Sequence, residues 1–146
     1  MAAETETGAG SRRAARRAAL QALYQWQFTG AGVDELMAQF RGSGRLGRAD
    51  TDYFDALVRG AIDAAAALET VYAEYLDRAP EQLDPVERAI LLLGTYELAE
   101  RPDVPHRVVI NEALELAKAF GATEGYRFIN GVLDKVWKSR SANERE

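Results

Sequence analysis

The sequence predicts an all-helical protein, and three observations carry that reading. Alanine, the strongest helix former, occurs 26 times in 146 residues, against 13 valines and isoleucines together. No segment alternates apolar and polar residues long enough to make a half-buried strand. Apolar residues recur instead at intervals of three and four between glycine and proline stops.

Each element follows from local chemistry. Residues 1–10 are small and polar and are expected to be a disordered leader. Ser11 is a plausible N-cap, so a first helix is predicted from there to Phe28, before the glycines of "TGAG". A short helix follows over Val33 to Phe40, and "RGSGRLGRAD" then reads as a flexible loop. From Asp50 to Asp77 the run is helical, with Tyr53, Leu57, Ala61, Ala64, Leu68, Val71 and Tyr75 on one face. Pro80 marks a boundary between an N-terminal helical subdomain, 11–79, and a C-terminal one, 80–138. In "DPVE", Asp84 serves as N-cap, Pro85 as first helical residue and Glu87 as the partner in a capping box. The helix it opens contains "AILLLG", apolar all round, which predicts a buried central helix. "RPDVP" ends it. The next helix runs from Pro105 to Gly121, its C-terminal glycine. The last spans Glu124 to Lys138 and buries Ile129, Val132, Leu133 and Val136, leaving 139–146 to fray. Gly125 reads as a loosened first turn and Gly131 as a close helix contact.

Composition bounds the function. With no cysteine, disulfides, thiol nucleophiles and thiolate metal sites are excluded, which fits a reducing compartment. No apolar run reaches bilayer length and the N-terminus lacks a signal-peptide pattern, so a cytoplasmic protein away from membranes is expected. The net charge is −5, yet residues 11–28 hold four arginines and no acid, while 31–146 carry 14 positives against 21 negatives.

At about 100° per residue, the first helix places Ala15, Ala18, Ala19, Ala22, Leu23 and Trp26 on a core arc. Arg13, Arg17, Leu20, Tyr24 and Phe28 fall opposite, with Arg12 and Arg16 at the edge. Guanidinium groups grip phosphates bidentately, and an aromatic ring gives an unpaired base a stacking surface. That combination suits single-stranded nucleic acid. A solvated face, or a site for an acidic protein, stays open on this pattern alone.

Catalysis finds little support. The lone His106 lies beside Pro105 without a triad context, no helical metal-ligand spacing occurs, and no glycine-rich loop has a nucleotide-binding form. Neither cofactor nor metal is expected, and no enzyme activity.

"ALQALYQWQF", "ERAILLLGTYELAERPDVPHRVVINEALELAKAFG" and "FINGVLDKV" closely resemble the NusB family of bacterial transcription antitermination factors. The resemblance covers the first helix and nearly all of the second half; residues 30–80 match in helical pattern more than in wording. It implies two small all-helical bundles packed across each other. It implies non-catalytic binding of the boxA RNA of nascent ribosomal RNA transcripts, jointly with the ribosomal small-subunit protein NusE. The setting it implies is an RNA polymerase antitermination complex with other Nus factors. RNA contacts then fall on Arg12, Arg13, Arg16 and Arg17, and on Glu124 and Phe128 at the start of the last helix. Tyr24 is assigned to both the RNA and the partner, and Glu87 to the partner. Two alternatives remain: a detached RNA-binding module like the N-terminal domain of a ribosomal RNA methyltransferase, and a helical adaptor for proteins only. A boxA competition separates the first of these, and RNA binding across salt the second.

Overall fold

Gly30 stops the first helix, because at φ +66° it occupies the left-handed region that a side chain would disfavour. The structure is a computed structural model and describes the backbone of residues 2–145 and the side chains of residues 8–141. Among the described residues seven α-helices follow in order: α1 (Ala2–Thr29), α2 (Val33–Gly42), α3 (Thr51–Asp63), α4 (Ala65–Ala73), α5 (Pro85–Glu100), α6 (His106–Phe120) and α7 (Gly125–Arg145). No strand occurs among the described residues. The all-helical expectation is met.

Several boundaries differ. Ser11 lies inside α1, where its hydroxyl donates to the Gly8 carbonyl at 3.1 Å instead of capping a helix start. The expected leader and frayed tail fall into α1 and α7, since neither end carries a proline to stop the helix. Met1 and Glu146 lie outside the described residues. The single helix expected over 50–77 breaks at Ala64, whose φ −102° and ψ 12° leave helical geometry. Tyr72 is fully buried and Val71, expected inward, is exposed. The chain also divides there, into Met1–Asp63 and Ala64–Glu146, not near Pro80, because α4 packs against α5 and α7.

In the first unit α1 packs mainly on α3, and α2 packs against both. Ala15, Ala18, Ala19, Ala22 and Leu23 supply the buried arc of α1, as its periodicity predicts. Phe40 of α2 and Phe54 of α3 meet at 5.8 Å between ring centroids. Trp26, expected in the core, is half-buried. Leu20, expected on the outward stripe, is buried together with Arg16. The two are four residues apart on one helix face, so a wall that covers one covers the other.

In the second unit α5 is the central helix, flanked by α4, α6 and α7. Its capping box forms as read: Asp84 Oδ1 accepts the Glu87 N–H at 2.8 Å, and Glu87 Oε1 accepts the Asp84 N–H at 3.4 Å. Asp84→Ala removes the first of these bonds and leaves a helix-start donor without its acceptor. The expected loss is about 1 kcal/mol of unfolding free energy, read from a denaturant midpoint. Gly121 is in extended backbone, and a Cβ there would lie 2.7 Å from the Ala117 carbonyl oxygen. The close helix contact assigned to Gly131 is absent, for a Cβ there meets nothing within 4 Å. Gly94 makes it instead: its Cβ would stand 2.8 Å from Cδ1 of the buried Leu133.

Candidate nucleic-acid interface

The four arginines of α1 separate into two pairs. Arg13 and Arg17 are exposed. Arg12 is half-buried, its guanidinium carbon 4.3 Å from the centroid of the Tyr53 ring. Arg16 is only 4% exposed and lies 5.4 Å from the same ring. Tyr53 is well placed to receive them. Its N–H donates to Asp50 Oδ1 at 3.0 Å, and the Asp50 N–H donates to the Ser11 carbonyl at 3.0 Å, tying the start of α3 to α1. A guanidinium over an aromatic face is held by the ring quadrupole and keeps its charge. Arg13 and Arg17 therefore present charge at the surface, while Arg12 and Arg16 hold theirs against Tyr53.

Further along α1, Tyr24 and Phe28 are 42% and 64% exposed, and their rings meet at 5.1 Å and 56°. An aromatic pair left this open offers base-stacking or partner-docking area.

The second unit assembles Glu87 and Phe128 through a residue the sequence reading missed. Arg78 Cζ sits 4.3 Å over the half-buried Phe128 ring. Its Nη1 is 4.0 Å from Glu87 Oε1, and its Nε donates to Asp77 Oδ1 at 2.7 Å. Asp77 is held below its ordinary carboxylate pKa by that bond. Burial, followed by the charge of Asp84, pushes the Glu87 carboxyl up, with Arg78 opposing. A Cβ on Gly125 would lie 3.8 Å from Glu87 Oε2, so the starts of α5 and α7 adjoin there. Glu124 has φ +71°, is exposed, and pairs with Arg127 at 3.1 Å. Nothing in "LDRAP" advertises Arg78, whose partners other than Asp77 come from distant segments.

His106 stacks on Trp137 at 4.3 Å and 6°, a packing role joining α6 to α7. Among the described residues no group of three His, Cys, Asp or Glu is placed to hold a metal ion, and no helix is long and apolar enough to cross a membrane.

The family model described as NusB family matches residues 13–138. The chain belongs to the NusB family. The transcription antitermination protein NusB of Alcanivorax borkumensis is 51% identical over 126 residues, covering 86% of this chain and 84% of that one. NusB of Pseudoalteromonas atlantica is 49% identical over 134 residues, or 92% and 96% of the two chains. A crystal structure of antitermination factors NusB and NusE in complex with double-stranded RNA aligns with a TM-score of 0.80 at 26% identity, over 88% of this chain and 97% of that one. T. maritima NusB aligns at 0.78 with 29% identity, over 87% and 90%. This NusB family member is a transcription antitermination factor, in a family without catalytic activity.

Proposed function

We propose that this NusB family member binds the boxA RNA of nascent ribosomal RNA transcripts jointly with NusE, within an RNA polymerase antitermination complex that includes other Nus factors. The observation that carries this reading is the outward face of α1, where Arg13 and Arg17 lead to the exposed Tyr24 and Phe28. The likeness to a NusB solved with NusE and RNA supports it. Arg13 and Arg17 contact phosphates, Arg12 and Arg16 add charge from over Tyr53, and Tyr24 serves RNA and partner. In the second unit Phe128 and Glu124 face RNA, and Glu87 faces the partner.

Outside residues 11–28 the chain is net negative, so this protein alone attracts only a short stretch of RNA. NusE extends the attractive surface. Each ligand is then expected to raise affinity for the other by the same factor, at least about fivefold, as linkage requires. Calorimetric titrations of boxA RNA and NusE around the closed cycle measure it. RNA affinity unmoved by NusE at physiological salt would overturn the cooperative mechanism. Because the similar NusB was solved with double-stranded RNA, a duplex ligand is the second reading. Competition of single-stranded boxA against its duplex decides between them.

A further inference from the structure

Arg13, Arg17, Gln21 and Gln25 follow one another at every fourth residue of α1, which places them on one ridge of the helix. The first three are exposed and Gln25 is half-buried, and the ridge contains no carboxylate. Gln25 ends it as a junction. Its Nε2 donates to Gln39 Oε1 of α2 at 2.9 Å, and its Oε1 accepts from Arg45 Nη1 at 3.4 Å. Arg45 also lies 4.8 Å over the Phe40 ring, which steadies a guanidinium that is otherwise exposed.

The loop that carries Arg45 is tied to α1 a second time, where the Asp50 N–H donates to the Ser11 carbonyl. Ser11 and Gln25 stand about 21 Å apart along the helix axis, at ~1.5 Å per residue. Residues 45–50 therefore run back beside α1, antiparallel to it. Gly44 and Gly47, at φ +77° and +51°, make the turns that this path needs. Arg48 lies between the two ties and is exposed. Among the described residues no ion pair engages Arg45 or Arg48, whereas Arg41 in the same stretch is bound to Asp55. Of the nearby carboxylates, Asp34 is taken by Arg59 at 2.6 Å and Asp50 caps α3. Glu35 and Asp52 remain as opposing charges.

We propose that Arg45 and Arg48 of this glycine-rich loop continue the Arg13–Arg17–Gln21–Gln25 ridge as one track for the sugar-phosphate backbone of RNA. The proposal rests on the RNA-binding reading above and lengthens its footprint. Guanidinium groups at both ends bind phosphates, and the two glutamine amides between them supply uncharged donors. Positive φ at Gly44 and Gly47 lets the loop bend back so that Arg45 reaches the Gln25 end of the ridge.

The test compares the full chain with its Arg45→Ala/Arg48→Ala and Arg45→Lys/Arg48→Lys variants, titrated with boxA RNA across salt, with and without NusE. Removing two phosphate contacts flattens the log–log salt slope by roughly 1.4 for a single strand. Between about 50 and 200 mM salt the alanine pair should then lose about sevenfold less affinity than the parent. The lysine pair should keep the parent slope, since it keeps the charges. Circular dichroism should be alike in all three. An unchanged slope in the folded alanine pair overturns the track while leaving RNA binding by α1 intact. A lysine pair as poor as the alanine pair overturns its electrostatic basis. Lost affinity for NusE with an unchanged RNA slope would assign the loop to a protein contact instead. A parent chain that binds no RNA with or without NusE sinks the underlying reading as well.

Discussion

Replacing Arg13 and Arg17 together by alanine is expected to flatten the salt dependence of RNA binding by roughly 1.4 and leave the fold intact. Both side chains are exposed, so their loss opens no cavity. Alanine has the higher helix propensity, so α1 itself is not weakened. If three to four phosphates are neutralised, the parent slope is roughly −2 to −3, of which these two residues carry about half. Arg16→Ala should behave differently. That side chain is buried over Tyr53, so its truncation removes packing along with charge and lowers thermal stability. Anisotropy titrations at four salt concentrations, each paired with a thermal melt, separate the two kinds of arginine. A folded Arg13→Ala/Arg17→Ala protein with the parent slope would remove α1 from the RNA-binding surface.

The largest stability effects are expected where α5 and α7 meet. Leu133 is fully buried, and truncating it to alanine should cost about 2–5 kcal/mol, from lost burial plus the cavity left behind. Gly94→Ala drives a methyl to 2.8 Å from Leu133 Cδ1. Overpacking of that kind costs about 1–3 kcal/mol. The helix-propensity gain of alanine over glycine returns up to about 1 kcal/mol, so a net loss is expected. The double variant decides the cause. In Gly94→Ala/Leu133→Ala the added methyl enters the space Leu133 vacates, so the summed losses should shrink by about 0.5–3 kcal/mol. Urea unfolding of the four proteins measures that coupling. Strict additivity would mean that Gly94 matters through backbone freedom and not through contact.

Local chemistry was legible residue by residue. The capping box of Asp84 and Glu87 involves groups three residues apart, so the sequence determined it without help from the fold. The alanine arc of α1 and the apolar wrap of α5 were legible for a similar reason, because periodicity reports which side a helix buries. The outward position of Arg13, Arg17, Tyr24 and Phe28 follows from the same periodicity. The break at Ala64 was not legible. Both sides of it are good helix formers, and what sets α4 apart is its own packing against α5 and α7.

What the sequence by itself determined is therefore the helical class, the caps, the charged face of α1 and the family resemblance, all of which depend on neighbours within a few residues or on wording. Only the tertiary structure decided which arginines are exposed and which rings and amides stand beside the others. Arg12 and Arg16 are turned onto Tyr53, some forty residues away in the chain. Arg78 is set over Phe128, and Arg45 is brought to Gln25. The physical reason is one of range. Capping and amphipathic burial act within a turn or two of one helix, whereas a guanidinium finds its ring or its amide only after separate helices have packed and fixed the distance between them.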